Sequence, residues 1–226
     1  MGFRFEGGMV PRLLYVIAIV SLVAALVSAL VIVLDLRRHP QKMAVMNAVW
    51  PVTALYFGPL AVWAYWVMGR QVGQGSREKP FWMSIFVGAT HCGAGCTLGD
   101  IIAEFLIFFT GLDIAGSRFG TELVGDYCLA FALGIAFQYF AIMPMRKISP
   151  GQGLMAALKA DAASLTSFEI GLFAWMALMR FVLFHPALQP NDPVFWFMMQ
   201  IGMIVGFATT LPVNWWLVRV GIKEAM

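Results

Sequence analysis

Between Gly88 and Glu104 the sequence reads Gly-Ala-Thr-His-Cys-Gly-Ala-Gly-Cys-Thr-Leu-Gly-Asp-Ile-Ile-Ala-Glu. Within it Cys92, Cys96, Asp100 and Glu104 recur every four residues. On an α-helix that spacing stacks side chains along one slowly drifting face. His91 sits at the edge of the same face. Thiolate and imidazole suit a soft or borderline transition metal such as Cu(I), Zn(II) or Fe. His91, Cys92 and Cys96 are therefore the candidate ligands. Asp100 and Glu104 are read as outer-shell groups, or as acceptors for the protons that metal binding releases. A packing alternative stands beside this one: Gly88, Cys92 and Cys96 are also small residues that let two helices approach closely.

Further polar residues accompany the ladder. Asp161 and Glu169 begin and continue a later apolar stretch. They extend the set of second-shell or proton-accepting candidates, with Asp161 expected at the interface beside Lys159 or Arg146. Glu122 and Asp126 read as an acidic rim, with Gln138 deeper. Met43, Met46, Met143 and Met145 are thioethers that suit Cu(I), although methionine in an apolar chain usually fills core space. His39 and His185 each precede a proline and read as interfacial; haem would require one of them to meet His91. Asn214, Thr209 and Thr210 read as helix-to-helix glue. Laying 93–101 over 162–170 aligns Asp100 with Glu169, the pattern that an internal duplication would leave.

These residues need elements to hold them, and the composition says which. The chain has 226 residues, 61% apolar and 12% charged, and its mean hydropathy is +0.80. Soluble domains run near 45–50% apolar and about 25% charged. The chain thus reads as an all-α polytopic membrane bundle forming a single integral membrane domain. A hydrocarbon core of ~30 Å takes about 20 apolar residues to cross. Six runs qualify, at about 10–34, 44–68, 81–111, 121–145, 155–184 and 194–218. The first is too long for a cleaved signal and is read as a retained anchor. A carboxylate at the centre of a span costs about 2.5–3.5 kcal/mol on insertion scales, which makes a functional site the default reading of Asp100. Gly88, Gly93, Gly95 and Gly99 crowd the third run, and glycine costs roughly 1 kcal/mol per residue in a helix. They predict a break near Gly93–Gly95 or a tight crossing. Aromatic residues near the span ends (Trp63, Tyr65, Trp66, Phe81, Trp82, Trp215, Trp216) read as interfacial anchors.

Net charge is +3, with the basic residues scattered, which argues against a nucleic-acid partner. Three cysteines are too few for a disulfide framework. With six spans, ten of the fifteen basic residues fall at the termini, loop 2–3 and loop 4–5. The positive-inside rule then puts both termini in the cytoplasm. The cluster Arg37-Arg38-His39-Pro40-Gln41-Lys42 dissents: if it is cytoplasmic, the first run does not cross and the bundle has five spans.

Four stretches carry a family resemblance: Met46-Asn47-Ala48-Val49-Trp50-Pro51-Val52-Thr53, the His91–Asp100 segment, Phe137-Gln138-Tyr139-Phe140 and Pro212-Val213-Asn214-Trp215-Trp216. In them the chain resembles the DUF4396-type bacterial integral membrane proteins. The resemblance implies a helical bundle in the bacterial inner membrane, with an expectation of heavy-metal, above all copper, handling. The expected function is a membrane-embedded metal-binding protein, a small transporter or metal-handling factor, with copper or zinc as its ion. The alternatives are a thiol, haem or quinone oxidoreductase, or an assembly subunit without an ion of its own. The expected partners are the lipid bilayer, the metal ion and an oligomeric or membrane partner.

Overall fold

The computed structural model describes residues 11–70, 80–114, 116–143 and 149–223. They form seven α-helices: α1 (Arg12–Leu36), α2 (Met46–Phe57), α3 (Pro59–Ala64), α4 (Phe81–Thr110), α5 (Arg118–Ile142), α6 (Pro150–Leu178) and α7 (Pro193–Arg219). Two π turns, Tyr65–Gly69 and Met179–Leu183, continue α3 and α6. Local chemistry marks the ends. Ser149 and Gln152 form a capping box at the start of α6, and Asp192 caps α7 ahead of Pro193. Ser117 caps α5, and Gly111, with φ 66°, closes α4.

Among the described residues, five helices are long and apolar enough to cross a membrane: α1, α4, α5, α6 with its π turn, and α7. The outer wall of the bundle exposes many large apolar side chains. α1 exposes Leu13, Val20, Val23, Leu26, Val27 and Leu30 and buries little beyond Ala18, Ala25 and Ile32, a surface suited to lipid and not to water.

The apolar run at 44–68 does something else. It breaks at Gly58, whose φ of 56° reverses the chain between α2 and α3. The two arms then lie side by side, with the Trp50 and Tyr65 rings 5.6 Å apart in a T-shaped contact. Gly69 is so close to Trp50 that a β-carbon there would overlap the indole. Arg70 leaves the hairpin beside its start, where its Nε and Nη2 donate to Asp35 at 3.0 and 3.1 Å. Tyr65 donates to the same carboxylate at 2.8 Å. The segment therefore enters and returns at one end of the bundle, as a re-entrant helical hairpin whose backbone is covered by protein. Tyr65 is thus a buried partner of Asp35, not an interfacial anchor, whereas Trp63, Trp66, Trp82, Trp215 and Trp216 are exposed as expected.

Of the two readings of the α4 glycines, the break at Gly93–Gly95 does not occur: α4 runs unbroken from Phe81 to Thr110, and the chain turns instead at Gly58. The start of α1 and the end of α7 stand at opposite ends of the bundle. The Arg37–Lys42 cluster, Arg70 and the end of α7 share one end; the starts of α1, α5 and α7 share the other. Arg4, Arg77, Lys79, Arg146, Lys147, Met145 and the Gly73–Ser76 turn lie outside the described residues.

The glycines of α4 act as a tight crossing. β-carbons at Gly95 and Gly99 would overlap the backbone of Gly134 and Ala130 of α5. Two small-xxx-small stripes thus meet, backbone against backbone. α6 and α7 are joined by Gly171 and Gly206 at a similar approach. A polar zipper joins them as well: Thr210 donates to the Ser164 carbonyl at 2.8 Å, and Ser164 to Asn214 Oδ1 at 3.1 Å. Thr209 donates to the Ser167 carbonyl at 2.8 Å and Ser167 to the Thr209 carbonyl at 3.0 Å. The expected glue role of Asn214, Thr209 and Thr210 is what the structure displays.

A polar column through the bundle

Because α4 is continuous, its four-residue ladder survives intact. His91, Cys92, Cys96 and Asp100 are fully buried, and Glu104 is 1% exposed. From Cys92 to Glu104 the helix rises about 18 Å, roughly half the thickness of a hydrocarbon core. The ladder faces α6, α5 and the tip of the α2–α3 hairpin.

At the end shared with α7, the column begins with Asp161 and Lys223. Asp161 is fully buried, and Lys223 reaches it from the turn after α7 to form an ion pair. This corrects the expectation of an interfacial Asp161 paired with Lys159 or Arg146: the partner comes from the far end of the sequence. Lys223 is also in electrostatic range of His91 and Cys92. His91 is one position before Cys92, hence turned by about 100° around the helix, and neither of its ring nitrogens has a hydrogen-bond partner among the described residues.

The middle of the column holds the thiols. Cys92 and Cys96 are in contact with each other, and the Cys96 thiol faces the Glu169 carboxylate of α6. Neither Glu169 oxygen completes a hydrogen bond of standard geometry among the described residues. Tyr56, at the hairpin tip, is buried, and a β-carbon at Gly93 would lie 2.6 Å from its hydroxyl. That hydroxyl is in range of both thiols. Sequence reasoning missed Tyr56, since nothing local in the 44–68 run signals that its centre folds back against α4. Asp100 follows, with Glu169, Asp126 and Glu104 as its charged neighbours.

The other end is acidic and then basic. Asp126 is 2% exposed and Glu122 6%, so the pair expected as a solvent-facing rim is an inner lining. Glu104 is buried with them. Glu122 closes the column by accepting from Arg118 Nε at 3.2 Å and Arg180 Nη1 at 2.9 Å.

Among the described residues, unpartnered buried atoms include both nitrogens of His91, both oxygens of Asp100 and of Glu169, and one oxygen each of Glu104, Asp126 and Asp161. Native interiors pair nearly all such groups, and a span exposes them only at a price in stability. The arrangement is chemically a queue of cation acceptors: soft thiols midway, carboxylates on either side. No three His, Cys, Asp or Glu groups among the described residues stand close enough together to hold a metal ion as they are placed. His39 is engaged with Asp35 at 3.2 Å, and His185 with the Phe181 carbonyl at 3.2 Å. Met43 and Met46 pack with the cluster around Trp50, not with the cysteines. The thioether near the column is that of Met203, which Thr97 approaches at 3.6 Å.

Comparison with known protein families gives a match over most of the chain. The model of a family described as "Domain of unknown function (DUF4396)" covers residues 81–223. The matched stretch spans α4 to the turn after α7, and so contains the whole column apart from Tyr56. Neither a curated protein nor a solved structure matches the chain.

Proposed function

We propose, from the premise that the chain belongs to the family described as a domain of unknown function (DUF4396), that it is a membrane-embedded handler of a soft transition-metal cation, copper foremost, working as a small transporter. The observation that carries this reading is the buried, charge-hungry column: thiols and carboxylates line the bundle from end to end with few cationic partners between Lys223 and Arg180. A cation as cargo supplies the missing partners. Cys92 and Cys96 bind it as thiolates, which favours Cu(I) over a hard ion. Glu169 is the carboxylate nearest the pair, and Asp100 receives protons displaced by the metal. A passing cargo is better served by an incomplete ligand set than by a closed cage, because it has to leave as well as bind.

Orientation follows the same logic. Among the described basic residues, Arg37, Arg38, Lys42, Arg70, Lys159, Arg219 and Lys223 lie toward one end of the bundle, and Arg12, Arg118 and Arg180 toward the other. The positive-inside rule assigns the first end to the cytoplasm. The re-entrant hairpin thereby removes the dissent of the Arg37–Lys42 cluster. On this reading the start of α1 lies outside and the end of α7 inside a bacterial inner membrane.

Titration of the purified protein with Cu(I), Zn(II) and Mg(II) at two pH values tests the reading. Stoichiometric Cu(I) binding that weakens as pH falls, and that disappears in Cys92→Ser/Cys96→Ser, is expected. Binding unchanged in a folded double variant would make the ladder a packing feature.

A further inference from the structure

Lys223 is the anomaly the proposed function leaves unused. Lysine is almost never fully buried unless paired, yet this side chain is 1% exposed and ion-paired to an Asp161 side chain of 0% exposure. Its backbone stands at the bundle's end, in a turn where Gly221 has φ 75° and where the Ile222 and Lys223 N–H groups donate to the Leu217 carbonyl at 3.0 and 3.2 Å. Gly221 and Ile222 beside it are exposed. The four-carbon stem therefore passes from the surface into the column, over Gly88, whose missing side chain leaves it room: a β-carbon there would lie 3.9 Å from Lys223 Cε.

The ammonium does not satisfy what surrounds it. Asp161 Oδ2 has no partner among the described residues, and both nitrogens of His91, within range of the same ammonium, have none either. Cys92 is in that range too, with Cys96 next along the column. The Lys223 ammonium thus sits where acceptors of α4 and α6 converge, and it is tethered rather than diffusible.

We propose that Asp161, with His91 and Cys92, forms a cation-binding mouth to the column. In the closed protein the mouth is occupied by the Lys223 ammonium, which an arriving monovalent or soft cation displaces. The inference rests on the reading of the column as a cation route and adds its gate. Displacement needs only rotation of the lysine stem back toward the exposed turn. The incoming ion then takes over Asp161, and the helices stay where they are. Without the tether, Asp161 attracts mobile cations and repels anions.

Thiol labelling tests this without any metal. In a Cys128→Ser background, in vesicles with the α7 end outward, Cys92 and Cys96 are probed with a small cationic and a small anionic methanethiosulfonate reagent. The intact protein is expected to react slowly with both. Lys223→Gln is expected to speed the cationic reagent by about tenfold or more, the low end of the range over which charged clefts alter association, and to leave the anionic one slow. Lys223→Arg should stay slow. Asp161→Asn/Lys223→Gln, which buries no unpaired charge, should lose the preference for the cationic reagent. Unchanged rates in Lys223→Gln would overturn the gate, as would equal acceleration of both reagents, which marks an opened or unfolded bundle. Failure of Cu(I) binding with the labelling pattern intact would discard the metal while keeping the gate.

Discussion

Helix α4 presents two neighbouring stripes that solve opposite problems. Gly95 and Gly99 meet Ala130 and Gly134 of α5 with nothing between the backbones. Cys92, Cys96 and Asp100 meet Glu169 of α6 with buried polar atoms to spare. The first seam is complete as folded: close approach maximises dispersion contacts, which drive helix association when lipid removes the hydrophobic difference. The second seam is incomplete as folded, because its carboxylates outnumber its cations. One helix thus carries the fold on one stripe and the capacity for a ligand on the next. The stable seam is what permits the unstable one.

The contrast is breakable by mutation. The largest effect is expected at the packing seam. Gly99→Val places its side chain inside the Ala130 backbone, where no flexible side chain can give way, so the cost should exceed the about 1–3 kcal/mol of ordinary overpacking. Loss of monodisperse protein, or a large fall in unfolding temperature in detergent, is the readout. A stable Gly99→Val protein would mean that the α4–α5 seam is not what holds the bundle. A smaller loss is expected at the α6–α7 zipper: Thr209→Val removes a half-buried donor and should destabilise by about 0.6–1.7 kcal/mol, the range of interhelical hydrogen bonds in membranes. The smallest change, of opposite sign, belongs to the polar seam. Glu169→Gln removes a buried carboxyl that has no cationic partner among the described residues, so stability should hold or rise by about 1 kcal/mol, while Cu(I) affinity falls. Strong destabilisation by Glu169→Gln would show that its carboxylate is structural and would erase the distinction between the stripes.

Parts of this were readable residue by residue. Cys92, Cys96, Asp100 and Glu104 were recognisable as one helical face because a four-residue period survives any tertiary arrangement that leaves the helix whole. Glu169 was recognisable as an intramembrane carboxylate from its depth in an apolar run. Other parts were not. The glycines of α4 carried two meanings, a break or a close crossing, and only Ala130 and Gly134 on another helix choose between them. Asp161 looked interfacial because the nearest bases in sequence are Lys159 and Arg146; its partner Lys223 is sixty-two positions away. Glu122 and Asp126 looked like a rim because they lie near a helix end, yet both are buried, and Arg118 and Arg180 pair with Glu122.

The sequence by itself determined the solvent, the class and the inventory. An apolar fraction of 61% cannot be hidden in a core of this size, so lipid and helices follow from composition and from the need to satisfy backbone groups internally. The tertiary structure alone decided which apolar run crosses. Run 44–68 has the length and hydropathy of a span, but Gly58 gives its chain a turn, and Asp35, Tyr65 and Arg70 secure the return. It also decided which acceptors share a column and which cation closes its mouth. Hydropathy is a sum over neighbours in sequence, and it is blind to contacts that the fold makes between residues far apart.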